Sequence, residues 1–277
     1  ALSPQPCHAA MSTTDLLLAA TAAVFPLLML AERLFPARQQ PHVVRWPLVG
    51  TACFAVYAVV SVLLPLQLPA TWFEASLLPG AQLGVAAGAV AGYLATTLAG
   101  YAWHRLVHAV PLLWRCFHQL HHAPRRLDAA GAFVFHPSEM LVYTALGLVV
   151  NALVLGLDPV AASIVGLLGV FNAVFQHANL HTPRWLAWLV QRPEAHSIHH
   201  ASDVHAWNYS DFPLWDMLFG SYRAARGFRP QVGFAPAQSR RWLDMLLMRD
   251  VHDGPGTQPA AASAESSSIS RMAAGDR

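Results

Sequence analysis

Apolar residues in this chain fall in long unbroken runs, not at alternating positions. Residues 16–31 lie between Asp15 and Glu32 and are apolar apart from Thr21. Residues 46–73 carry no charge, and the run fits a helix ending near Pro65. Residues 75–103 are also uncharged, with the helical part expected after Pro79-Gly80. Residues 140–157 run from Glu139 to Asp158, and 159–176 follow at once, a hairpin pair. A bilayer-spanning helix needs about 20 mostly apolar residues. The pattern predicts an all-α, polytopic membrane bundle of five spans, or four if the short first segment lies in the interface.

Composition supports this. Hydrophobic residues make up 55% and charged residues 12%, against about 25% charged in an ordinary soluble domain. A freely soluble enzyme, a disordered chain and a coiled coil are excluded for most of the length. The net charge of +2 carries no nucleic-acid footprint. The three cysteines, Cys7, Cys53 and Cys116, form neither a disulfide framework nor a paired metal motif.

Arginine placement sets the orientation, because basic loops stay cytoplasmic. Arg33, Arg38 and Arg45 lie between spans one and two. Arg105, Arg115, Arg125 and Arg126 follow span three, and Arg184 and Arg192 follow span five. The two other connections contain no Arg. The N-terminus is therefore expected outside and the histidine-rich segments inside. Gly84, Gly88 and Gly92 put small residues on one face of span three, for packing within the chain or, alternatively, a homodimer.

Fifteen histidines are the compositional outlier. Ten form four clusters: His104 and His108; His118, His121 and His122; His177 and His181; His196, His199 and His200. Residues three and four apart share a helix face, so each cluster is expected to aim its imidazoles one way. Ten nitrogen ligands suffice for two metal ions with four or five each. Imidazole suits iron, zinc, copper and nickel alike. All four clusters can converge just beneath the bilayer, where a lipid can slide in. His8, His42 and His252 read as surface residues. His205 lies outside helical register with the fourth cluster and is expected to be dispensable for metal binding.

The motif order resembles the fatty acid hydroxylase/sterol desaturase superfamily of membrane di-iron oxygenases. The resemblance runs from about Tyr101 to Tyr222. It rests on Trp103-His104-Arg105, Pro111 to Arg115, His118 to His122, His136-Pro137-Ser138-Glu139 and Phe175-Gln176-His177. The fourth cluster with Asp203, Asn208-Tyr209 and Trp215 to Gly220 complete it. One departure is Val134, where related proteins often carry Arg.

The resemblance implies a helical cytosolic cap over the spans and two iron ions on the ten histidines, with zinc accepted by the same donors in recombinant samples. It implies O2 as co-substrate and a membrane lipid (sterol, other isoprenoid or fatty acyl) as substrate. The reaction expected is hydroxylation or desaturation of a C–H bond. His136 (or else facing substrate), Glu139, Asp203, Asn208, Asp216 and Asp211 are expected behind the ligands, orienting imidazole N–H groups; a capping or surface carboxylate is the alternative for each acid, above all for Asp211. No Gly-x-Gly-x-x-Gly or haem-attachment motif is present, so electrons are expected from a separate carrier, a ferredoxin or a b-type cytochrome with its reductase. Arg223, Arg226 and Arg229 are placed to meet an acidic carrier or anionic lipid.

The organisation expected is an N-terminal extension (1–15), spans one to three (16–99) and a catalytic region (100–230) with its transmembrane hairpin at about 140–176. An amphipathic C-terminal segment (231–252), interfacial or core-packing, and a disordered tail (253–277) follow. The competing class is a histidine-rich membrane metal-binding or metal-transport protein, which would place ligands at bilayer depth. A zinc protease is disfavoured because His-Glu-x-x-His is absent.

Overall fold

The computed structural model describes residues 11–69, 71–72, 76–202 and 204–252. The expected extension up to residue 10 and the expected tail from 253 lie outside the described residues. Five helices are long and apolar enough to cross a membrane. They are α1 (Thr13–Leu34), α2 (Trp46–Leu66), α3 (Gly84–Ala109), α4 (Pro137–Leu148) and α5 (Pro159–His177). A 3-10 turn, Gly80–Leu83, leads into α3, and a π turn, Val149–Val154, prolongs α4. The chain is an integral membrane protein of all-helical class. Its only extended pairing among described residues is an isolated bridge between Ala201 and Val232.

The first helix is longer than the apolar run alone suggested. It begins in a capping box, in which Ser12 Oγ accepts from the Asp15 amide and Asp15 accepts from the Ser12 amide. In the bundle α5 packs between α1 and α3, and α2 packs against α4. The small residues of α3 make the close approach possible. A Cβ on Gly92 would stand 2.6 Å from Leu157 Cδ1 and 2.9 Å from Val165 Cγ2, and one on Gly88 would press on Ala161. Gly88 and Gly92 thus serve packing within the chain. Leu16, Leu27, Val59 and Leu63 are exposed on the outer faces, where lipid would cover them.

The two ends of the bundle differ. At one end, the backbone before α3 pairs with the end of α4: the Leu77 and Leu78 amides donate to the carbonyls of Leu153 and Val154. At the other, the connections 35–45, 110–136 and 178–252 build a cap. Glu32, near the end of α1, accepts from the amides of Ala129 and Asn179, tying two cap loops to the bundle. Trp46, at the start of α2, donates from its indole to Asp128 at 2.7 Å.

The C-terminal segment packs into this cap. Its short helix, Trp242–Leu246, buries Met245 against a cluster that includes Trp46, Leu120 and Phe234, while Leu243 remains 70% exposed. It is core-packing on one face and exposed and apolar on the other. Trp185 and Trp188, also exposed, lie at the same end, as expected of an interfacial aromatic belt.

Candidate metal centre

Three structural devices bring the histidines together. His104 and His108 lie on the last turns of α3, and His177 ends α5. His118, His121 and His122 lie on the helical segment 111–122, which contains a π turn at Trp114–His118. His196 and His199 lie on α6 (Pro193–His199), with His200 as its C-cap. Two groups result, the ligand atoms of each lying within 4.8 Å of one another. The first is His104, His108, His118, His122 and His199; the second is His121, His177, His196 and His200.

Each cluster of three is therefore split between the groups, not aimed at one metal as the spacing suggested. The reason is helical geometry. Residues four apart stand about 40° apart around a helix, but adjacent residues about 100°. His118 and His122 go together, and His121 turns to the other group. His196 and His200 go together, and His199 crosses over. The groups abut: the rings of His122 and His200 stack at 4.2 Å.

The donor chemistry fits a cation. His104 donates from Nδ1 to the Tyr209 carbonyl (2.6 Å), His118 to Glu139 Oε1 (2.6 Å), His177 to the Ala173 carbonyl (2.7 Å) and His199 to the Trp207 carbonyl (2.8 Å). A neutral imidazole has one N–H, so each of these rings turns an Nε2 lone pair inward. Nε2 of His104 and His118 face each other at 2.9 Å, and neither has a proton to share. His199 Nε2 is buried without a hydrogen-bond partner, as is His108 Nε2. Protonation is no remedy: burial pushes His118, His121, His122, His196, His199 and His200 well below the ordinary imidazole range, and neighbouring imidazoles push the same way. Converging lone pairs held by hydrogen bonds on the opposite ring nitrogens are the arrangement metal-binding histidines adopt.

His181 is not brought to either group. The helix that would carry it in register with His177 ends there: Ala178 is already extended (φ −60°, ψ 142°). The His181 side chain is 72% exposed and approaches Glu194 at 3.8 Å. Nine of the ten expected ligands converge.

The expected supporting residues divide. Glu139 holds His118 directly. Asp216 acts at one remove: it accepts from the amides of Tyr209 and Ser210 and from Ser221 Oγ, fixing the loop whose carbonyl holds His104. Asn208 ties that loop to the Ala195 and Arg223 backbones. His136 instead caps α4, its Nδ1 accepting from the Ser138 amide and its Nε2 3.2 Å from the Leu246 carbonyl; it touches neither group. Asp203 lies outside the described residues.

Two residues outside the helical spacing also lie beside the groups. His205 Nδ1 lies 2.9 Å from Nδ1 of His122, behind the first group, and burial pushes His205 down to about 3. The chain reaches it through positive φ at His205, Trp207 and Asn208, a loop no helical period can reveal. Asp211 is no surface carboxylate: it accepts from Gln176 at 2.8 Å beside the second group.

Both groups adjoin a cavity of about 900 Å³ among α2, α3, α4 and α5. His104, His118, His121, His177 and His196 form part of its wall, and much of the remainder is apolar. Its size is at the upper end of the roughly 300–1,000 Å³ usual for small-molecule sites.

Fold and site together define a polytopic membrane protein with two adjoining histidine groups suited to metal, open to an intramembrane cavity. Residues 89–221, just under half of the chain, match the family model of fatty acid hydroxylase, the region that carries the resemblance to the fatty acid hydroxylase/sterol desaturase superfamily. It is 31% identical over 149 residues to a very-long-chain aldehyde decarbonylase of Oryza sativa subsp. japonica, covering 51% of this chain and 56% of that one. It is 29% identical over 134 residues to a sphingolipid C4-hydroxylase of Schizosaccharomyces pombe (47% and 46% covered). It is also 29% identical over 133 residues to a cholesterol 25-hydroxylase-like protein of Danio rerio (44% and 49%). The chain spans about half the length of these relatives. No solved structure matches it significantly.

Proposed function

We propose that this protein is a membrane oxygenase that hydroxylates or desaturates a C–H bond of a lipid, using O2, two iron ions and electrons from a separate carrier. The observation that carries this reading is the pair of inward-turned histidine groups in the wall of an apolar cavity between membrane helices. A pair of iron ions bound there supplies O2 reduction and the oxidising power for an unactivated C–H bond.

The chain's own residues do the rest. His104, His118, His177 and His199 are held rigid by hydrogen bonds on Nδ1. Glu139 places a carboxylate behind His118, raising its donor strength. The cavity walls exclude water and align an alkyl chain against the histidines. The Arg distribution supports a cytoplasmic site, where a ferredoxin or a reduced b-type cytochrome is at hand. Metal transport is less well supported, because the cavity offers no run of charged ligands through the bilayer.

The test is lipid analysis of cells with and without the gene, grown under 18O2. Hydroxylation adds one heavy oxygen to a lipid; desaturation removes two hydrogens. An unchanged lipid profile in cells making iron-loaded protein would sink the proposal.

A further inference from the structure

Asp211 is a half-buried carboxyl that the oxygenase reading does not use. Among the described residues it is the only Asp or Glu in the wall of the 900 Å³ cavity. Its position is fixed from three directions. Its carbonyl accepts from the Gln191 amide at 3.1 Å, and its Oδ1 accepts from Gln176 Nε2 at 2.8 Å. It also lies two residues after Tyr209, whose carbonyl holds His104. Gln176 directly precedes His177 of the second histidine group. The carboxyl therefore sits at the histidine end of the cavity, and Oδ2 has no partner among the described residues.

Several of the other polar groups along the cavity pair with one another. Asn151 Nδ2 donates to Thr96 Oγ1 at 3.0 Å and to the Gly147 carbonyl at 2.9 Å, and the Ser61 and Thr144 hydroxyls meet at 3.3 Å. Farther from the histidines, the wall includes Leu146, Leu157 and Val165. The cavity thus has an apolar length and one unspent carboxyl oxygen at the metal end. Burial pushes the Asp211 carboxyl up to about 6, so it is mostly ionised at neutral pH in a setting that favours a donor beside it.

We infer that Asp211 receives the hydroxyl or ammonium head of a long-chain lipid, which enters the cavity head-inward. The C–H bonds nearest the head then lie beside the histidine groups, and the tail runs toward Leu157. This deepens the oxygenase reading and rests on it for the position of oxidation, though not for the binding preference. A cavity wall with an unmet acceptor discriminates against ligands that lack the donor.

The test uses the full chain in lipid nanodiscs with four probes: sphinganine, octadecan-1-ol, octadecane and stearate. Wild type should bind the first two at least about tenfold more tightly than octadecane, and stearate, an anion, no better than octadecane. Asp211→Asn keeps an oxygen for Gln176 but turns an N–H₂ group toward the cavity, which can donate to an alcohol oxygen but cannot accept from an ammonium; it should abolish the extra affinity for the sphinganine ammonium over octadecan-1-ol and leave octadecane binding unchanged. Equal binding of all probes by wild type, or an undiminished preference for sphinganine in D211N, overturns the assignment. If D211N fails to fold, the wild-type ranking decides alone. In the iron-loaded, reduced protein, oxidation near the head of sphinganine is expected; oxidation at the tail overturns the orientation. An intact preference with no oxidation of any lipid counts against the oxygenase reading and leaves the Asp211 subsite standing.

Discussion

His118 donates from Nδ1 to Glu139 Oε1 at 2.6 Å, and the two side chains are 1% and 0% exposed. Glu139 comes from the first turn of α4, whereas His118 belongs to the cap segment. The bond therefore fixes the metal-binding ring to the membrane bundle itself. It also fixes the tautomer, leaving Nε2 free to face His104 and His122. Glu139→Ala should weaken metal binding by about 10–100-fold, the usual effect of losing such a partner. Glu139→Gln keeps an acceptor but loses the charge, so its loss should be smaller. Chelator competition measures both; wild-type affinity in E139A would show that the contact does not support the site.

Substitutions among the histidines separate ligands from neighbours. Wild type purified with iron should carry about two metal equivalents. His199→Ala removes one of five donors in the first group and should lose metal there and abolish turnover. Helix α6 should persist, since Ala is a strong helix former. His181→Ala should keep both equivalents, because that ring is exposed and remote from both groups. His205→Ala should keep metal but lose part of its activity, because it touches His122 on the face away from His118. Elemental analysis of the three variants decides, and metal loss in H181A would return that residue to the ligand set.

Asp211 also predicts a pH dependence of stability. In the unfolded chain it titrates near 3.8; folded, burial pushes it up to about 6. The folded state holds the proton more tightly, so the stabilising contribution is full below about pH 4 and is lost as pH rises through about 6. Above that, the ionised group is the less favourable occupant. D211N should therefore melt a few degrees above wild type at pH 7.5, with the gap shrinking toward pH 4. Thermal melts in detergent across that range test it; a gap that widens on acidification would contradict the sign.

The spans and most of the metal centre were legible because two strong periodicities govern them: bilayer thickness, which sets run length, and the helical repeat, which sets the histidine spacing. The same repeat misled at His181. Its spacing from His177 equals that of His108 from His104, but α5 ends at His177 whereas α3 continues to Ala109. The turn that follows is held from outside, by Glu32 accepting the Asn179 amide, a contact 147 residues distant in sequence. The contacts that His205 and Asp211 make were not legible for a related reason. Both lie in loops whose path depends on left-handed backbone and on tertiary hydrogen bonds with Asp216 and Gln191, which no local pattern records. The split of each histidine triplet, by contrast, follows from 3.6 residues per turn and was open to derivation.

Orientation in the membrane makes the last prediction. The cap side of the bundle collects the connections 35–45, 110–136 and 178–252, and these hold Arg38, Arg45, Arg125, Arg126, Arg184 and Arg192. The opposite connections, at 67–79 and 155–158, hold no Arg. Positive-inside bias predicts a cytoplasmic cap. Five crossings then place Ser12, the N-cap of α1, on the other side. Single cysteines at Ser12 and Ser202, introduced after Cys7, Cys53 and Cys116 are replaced, should react with an impermeant thiol reagent from opposite faces of sealed vesicles. Ser202→Cys should label only from the cytoplasmic face. Labelling of both positions from one face would mean that one of the five apolar helices does not cross the bilayer, and α1, whose apolar run between Asp15 and Glu32 is short, would be the first to re-examine.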